Sequence, residues 1–246
     1  FGNNVIGAVT VPANSKVTLQ GGALKLKDGT NGPMFSCDQP KDLTIVDINI
    51  NGNKANQTPI ADPEGTGNGG SQAIINITGV GGNGENVIIR GNNIYDCNDA
   101  GILFGDYTVI GITVTDNIID NTEWHGIQVG GDCKNIIISN NRVSNIKGAG
   151  IIPMGNCTHV TVVGNFIESI TEDRGDAITC YGTNQRHITI SGNVCRSVEG
   201  HGIHAGGEYI SISGNTVDST TAAGIYIRSN VSADYAKNIS ITGNTI

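Results

Sequence analysis

The sequence predicts an all-β chain, folded as one right-handed, single-stranded parallel β-helix, a solenoid running over residues 1–246. Three repeating features predict it. Asn followed by any residue and then an apolar one recurs at Asn92, Asn117, Asn141, Asn165, Asn193, Asn215 and Asn244, at spacings of 25, 24, 24, 28, 22 and 29 residues. A small residue, usually Gly, then Ile follows each of the first six: Gly101-Ile102, Gly126-Ile127, Gly150-Ile151, Ala177-Ile178, Gly202-Ile203 and Gly224-Ile225. Period-two segments such as Val160-Thr161-Val162, Ile188-Thr189-Ile190 and Ile210-Ser211-Ile212 form a third column, and that alternation is a strand signature. A unit of about 25 residues cannot bury its own apolar face, so it must stack on its neighbours. Asn-Gly hairpin turns do not recur between the strands, which weighs against a β-sandwich.

Along the chain, residues 1–52 read as N-terminal coils. Val9-Thr10-Val11, Val17-Thr18-Leu19 and Ala23 to Leu26 form the first, and Leu43 to Ile50 is a further strand pair. Residues 53–72 are a long loop rich in Gly, Pro and Asn; a loop of that length is usually functional. Residues 73–246 are the regular coils. The chain stops at Ile246 in mid-coil without a polar cap. An open strand edge invites pairing, so the expectation is a longer natural chain, a homotrimer or another end-capping partner.

Aromatic residues make up only 4% of the chain, so the core must be built from stacked small aliphatics. The net charge is −8 and the sequence pI about 4.9. No basic stripe marks a nucleic-acid partner, and no apolar run approaches the ~20 residues of a membrane helix. The chain opens Phe1-Gly2-Asn3 without Met and reads as a mature or trimmed product. Its acidic balance fits an extracellular or virion-surface protein. Cys97, Cys180 and Cys195 fall on apolar slots and read as core thiols. Cys133 and Cys157 lie one repeat apart. Stacked strands sit roughly 4.8 Å apart, inside the ~4.4–6.8 Å Cα window of a disulfide, so a bond and two free thiols both stay open. Sequons at Asn56, Asn76, Asn156, Asn230 and Asn238 carry little weight in so Asn-rich a chain.

Aligning the coils on the Ile slot predicts an exposed patch. The residue two before the Ile and those one and three after it should point outward. In the coils of Ile178, Ile203 and Ile225 these slots hold Asp176, Thr179, Tyr181, His201, His204, Tyr226 and Arg228. Asp176 and His201 are expected within hydrogen-bond reach. Glu172, Asp173, Arg174 and Glu199 charge the preceding corners. A carboxylate beside His, a Tyr and an Arg are parts for acid–base work and for holding a carboxylate; they also fit an ordinary solvated face. His125 shares the slot of His201 two coils before Asp176, beside Trp124, whose ring could stack on a sugar.

The repeat resembles the pectin-lyase-like superfamily of right-handed β-helices over nearly the whole chain. The nearest motif resemblance is to polygalacturonase-type glycoside hydrolases and tailspike depolymerases. Gly200-His201-Gly202-Ile203 is similar to the hydrolases' Gly-His-Gly element. Gly224-Ile225-Tyr226-Ile227-Arg228 is similar to their Gly-Val-Arg-Ile-Lys element, and Gly175-Asp176-Ala177-Ile178 to their paired-Asp element with the first Asp lost. A further family Asp falls at Ala149. The resemblance implies an extracellular protein whose partner is a polysaccharide, cleaving it through catalytic Asp176, His201, His204, Tyr226 and Arg228, with Trp124, His125, Asp173, Arg174, Thr179, Tyr181 and Glu199 against substrate. Inverting hydrolysis needs two carboxyl groups and only Asp176 is in place, so a uronate lyase or epimerase and a non-catalytic adhesin or tail-fibre module stand as alternatives. No cofactor or metal is required, although calcium at Asp96, Asp99, Asp116 and Asp120 is an alternative to turn capping.

Overall fold

The computed structural model describes residues 4–59, 72–79, 82–105, 107–171, 175–228 and 236–246. Among these residues, three parallel sheets of nine strands each form a β-solenoid. One coil shows the plan. A long strand, Lys134–Ser139, turns into a middle strand, Arg142–Ile146, and then into a short strand, Ile151–Pro153. The long, middle and short sheets are the columns these strands make.

Alternation decides which side chains enter the core. Ile136, Ile138, Val143, Ile146 and Ile151 are fully buried, while Ile137 points out between them. Like residues stack on like: Ile112, Ile136, Val160, Ile188, Ile210 and Ile239 are register partners in turn. Branched side chains on a 4.8 Å repeat interdigitate with little help from rings; Phe35 and Phe104 are the aromatic members of the core. One apolar cluster therefore extends from Val11 to Val217.

The corner between the long and middle strands carries the Asn motif, and the seven residues form one ladder. Each Nδ2 donates to the next residue's Oδ1: Asn92 to Asn117, then Asn141, Asn165, Asn193, Asn215 and Asn244, at 2.9–3.0 Å. The same Oδ1 atoms accept backbone N–H groups, as Asn141 does from Asn117, and the same Nδ2 atoms reach carbonyls such as Val114 O. The residue before each ladder Asn has positive φ, for example Gly91, Asp116 and Asn140, a conformation open to Gly, Asn and Asp.

The N-terminal strands fall where expected, at Val9–Val11, Val17–Gln20, Ala23–Leu26, Lys41–Val46 and Asn49–Asn51. Pattern reading missed Asn4–Ile6, Phe35–Asp38 and Ile75–Thr78, which complete the middle and short columns. A 3-10 turn, Lys54–Asn56, opens the long loop; residues 60–71 lie outside the described residues. Asn165 to Ile178 spans 13 residues where Asn141 to Ile151 spans 10, so the 28-residue spacing places three of its four extra residues just before the short strand.

All six cysteines are buried and carry free thiols. Cys133 and Cys157 precede register partners Lys134 and Thr158 and are neighbours as expected. Their mutual hydrogen bond and burial hold Cys157 well above the usual thiol range, and burial pushes Cys195 up to about 12.

Two outcomes follow. Asn141→Ala should cost roughly 3–6 kcal/mol in urea unfolding, because several buried groups lose partners worth about 1–3 kcal/mol each. Asn244→Ala, at a part-buried rung, should cost less; equal losses would deny the ladder its role. Iodoacetamide at pH 8 should modify the thiols only after unfolding, and rapid native labelling counted by mass would contradict their burial.

Candidate functional site

The site is built on the short sheet, from the strands Ile178–Cys180, Ile203–Ala205 and Ile225–Ile227. Register places Thr179, His204 and Tyr226 side by side. The Ile slot faces inward as expected: Ile178 and Ile203 are fully buried. The slot two residues earlier faces solvent less than expected, with His201 half-buried and Ala223, in the last of these coils, exposed. Ala100, His125, Ala149 and Asp176 are all buried there.

The reason is local. At this corner the slot's side chain turns along the solenoid axis and accepts the backbone N–H of the next coil. His125 Nδ1 accepts from Ala149 N–H at 2.8 Å, Asp176 Oδ1 from His201 N–H at 2.7 Å, and His201 Nδ1 from Ala223 N–H at 3.1 Å. Asp176 and His201 are thus within hydrogen-bond reach, as expected, but through the His201 backbone N–H and not its ring. Asp176 holds the His201 backbone and takes the His204 ring instead, Nδ1 to Oδ2 at 2.8 Å, with both side chains nearly buried. Thr179 donates to the same Oδ2 at 3.0 Å. The expected open patch is thus a buried pair under a lid of rings. Tyr181 stacks on His204 at 4.6 Å, Tyr226 on His201 at 4.6 Å, and the two His rings meet edge to face at 5.4 Å. Tyr226 and Arg228 are exposed, and the Arg228 guanidinium lies 4.7 Å from the Tyr181 ring centre.

These bonds fix the tautomers. A carboxylate only accepts, so His204 carries a proton on Nδ1, and its neutral ring keeps a lone pair on Nε2. That Nε2 is buried and has no partner among the described residues. His201 accepts at Nδ1, so its neutral ring carries the proton on Nε2. One histidine thus offers a base and its neighbour an acid.

Asp176, His201 and His204 also offer one potential metal-ligand atom each within 4.8 Å of one another. The donor set fits a cation poorly, since both Asp176 oxygens and His201 Nδ1 are engaged and only His204 Nε2 keeps a free ring lone pair. Among the described residues Asp96, Asp99, Asp116 and Asp120 form no such group. Asp96, inside the strand Asn93–Cys97, and Asp116, at the Asn-ladder corner, both take positive φ, and Asp99 accepts the Gln72 N–H.

Other expected residues stand apart. His125 and Thr179, expected against substrate, are buried. Trp124 packs on His125 at 4.2 Å, two coils from Asp176. Glu199 is exposed on the preceding turn. Asp173 and Arg174, like Glu172, Asn230 and residues 229–235 generally, lie outside the described residues. The N–H of Ala223, which sets the His201 tautomer, had no signal in the sequence.

A family described as "right handed beta helix region" matches residues 3–167, ending before Asp176. A search of curated proteins gives no match. Similar solved structures include the periplasmic alginate epimerase AlgG, at 12% identity and a TM-score of 0.59 over 91% of this chain and 49% of that one. The enzymatically active domain of bacteriophage CBA120 tailspike protein 2 has 11% identity and a TM-score of 0.56 over 98% and 41%. PfbA, a surface adhesin of Streptococcus pneumoniae, has 14% identity and a TM-score of 0.54 over 96% and 63%. The chain therefore spans about half the length of the epimerase and less than two thirds of the others.

Burial pushes His125 down to about 3. Its unfolded value is near 6.5, so as pH falls the unfolded chain takes up the proton first. The stability it leaves intact above pH 6.5 should be lost towards pH 3, by up to about 1.4 kcal/mol per pH unit. His125→Asn, which keeps an acceptor for the Ala149 N–H, should flatten that fall in urea titrations between pH 7 and 4. An unchanged slope would mean His125 is not held neutral.

Proposed function

The chain belongs to the right-handed β-helix family, and we propose that it is an enzyme that transfers protons on an extracellular polysaccharide, with a uronate chain as substrate. The observation that carries the proposal is the buried, unpartnered His204 Nε2, held as a base by Asp176 beside a His201 of opposite tautomer. A proton next to a carboxylate is the acidic C–H of a uronate. Once the Tyr181 and Tyr226 rings that cover His204 turn aside to open Nε2, removal of that proton by His204 leaves negative charge on the carboxylate, which Arg228, exposed at the rim, is positioned to neutralise. His201 Nε2–H or the Tyr226 hydroxyl then protonates either the departing glycosidic oxygen, giving elimination, or the carbon from its other face, giving epimerisation.

Hydrolysis fits less well. An inverting pair of carboxyl groups stands about 6.5–9.5 Å apart with water between. Asp176 is buried with both oxygens bonded, and Glu199 is an exposed corner residue. Similarity to a periplasmic alginate epimerase and to tailspike and surface proteins supports a polysaccharide outside the cytoplasm as partner. Similarity to an adhesin favours, as second reading, binding without turnover.

A polyuronate panel in deuterated water, scored for unsaturated ends, new reducing ends and deuterium at the carbon beside the carboxylate, separates these readings. His204→Asn, which retains a donor to Asp176 and deletes Nε2, should lower turnover at least ~100-fold, the low end of a general-base contribution. Asp176→Asn should do the same with its geometry kept, because an amide donor facing Nδ1 moves the His204 proton onto Nε2. Full activity in either variant sinks the mechanism. A wild type that binds glycans and turns none over supports the adhesin-type reading.

A further inference from the structure

The middle sheet, on a different face from the histidine pair, carries a hollow of about 430 Å³. It runs across the strands Asn93–Cys97, Ile118–Thr122, Arg142–Ile146 and Phe166–Ile170, three coil steps of roughly 4.8 Å. We propose that this hollow is a second, non-catalytic glycan-binding site that takes a short stretch of neutral oligosaccharide.

Three features point there. The hollow has an apolar component that the polar rule for outward faces does not supply: Ile118 is 46% exposed and the half-buried Tyr95 ring lies one coil away. Sugars present a C–H face to such surfaces and hydroxyls to the groups around them. The second feature is Asp120, held by the following coil. Ser144 Oγ and Asn145 Nδ2 both donate to its Oδ1 at 2.7 Å, so the carboxylate is oriented and Oδ2 is left to accept from a ligand hydroxyl. Asn145 reaches back from a positive-φ position, which aims its amide at the earlier coil. The third feature is charge. Arg142 pairs with Glu168 across the hollow, so its side chains carry two carboxylates and one guanidinium. That excess of negative charge disfavours a polyanion, which sets this site's ligand apart from the uronate assigned to the histidines.

The test is titration calorimetry of the whole chain with neutral tetrasaccharides of β-1,4-glucan, α-1,4-glucan and galactan, beside tetragalacturonate. At least one neutral tetrasaccharide should bind. Tyr95→Ala and Asp120→Ala should each weaken it at least ~10-fold, as loss of a stacking or charge-assisted contact does, while His204→Asn leaves it unchanged. Amide NMR shifts should map to 93–95, 118–120 and 142–145, which keeps the test decisive if a variant misfolds. Failure of every neutral tetrasaccharide to bind overturns the proposal. So does binding that ignores Tyr95 and Asp120, or a tetragalacturonate preference at these amides. None of these results bears on turnover at His204.

Discussion

The side-chain amide of Asn has one donor group and one acceptor, and a parallel stack offers each the same environment every 4.8 Å. The ladder from Asn92 to Asn244 uses that match. Each amide satisfies its own buried corner, the corner below and a carbonyl of the preceding coil. Because an unpaired buried amide costs about as much as several good contacts stabilise, the ladder pins the phase of every coil to its neighbour. Residue spacings vary from 22 to 29, yet the Ile columns stay in register, since surplus residues are pushed into corners. Everything on the outer faces inherits its position from that pinning.

The histidine pair is an example. A single corner slot is used three times in the same way, by His125, Asp176 and His201, each accepting an N–H from the next coil. The chemistry arises from what occupies the slot in successive coils. Asp in one and His in the next, with a further His at the strand centre, yields two rings whose protons sit on opposite nitrogens. No loop has to fold around the site to choose those tautomers, because backbone and ladder fix them. Two coils away the same slot gives a buried, neutral His125 with a purely structural task.

The solenoid, its Asn ladder and the columns of the short sheet were legible in the sequence because they are matters of spacing, and Asp176, His201, His204 and Tyr226 were brought together on that basis. Direction was harder to read. Period-two logic places Asp176 outward, but it describes a strand, and Asp176 sits at a corner where the side chain follows the axis. Backbone partners such as Ala223 carry no side-chain signal at all. The long-sheet column of His159, His187 and Tyr209 was likewise invisible to pattern. All three take positive φ, a costly conformation for rings. They stack at 4.8 and 5.0 Å, which offsets part of that cost. Asn135, one coil earlier at the same slot, needs no such help.

The ladder is made of amides, which neither gain nor lose protons across the pH range where proteins fold. A scaffold joined by carboxylates or histidines would loosen as its own joints titrated, and any change of ionisation at a working site would be mixed with a change in its support. The ladder's share of the cohesion between coils is blind to acidity. The corner bonds of His125, Asp176 and His201 do feel a change of charge, but a proton gained or lost at the histidine pair leaves the Asn frame that sets the coil spacing unaltered.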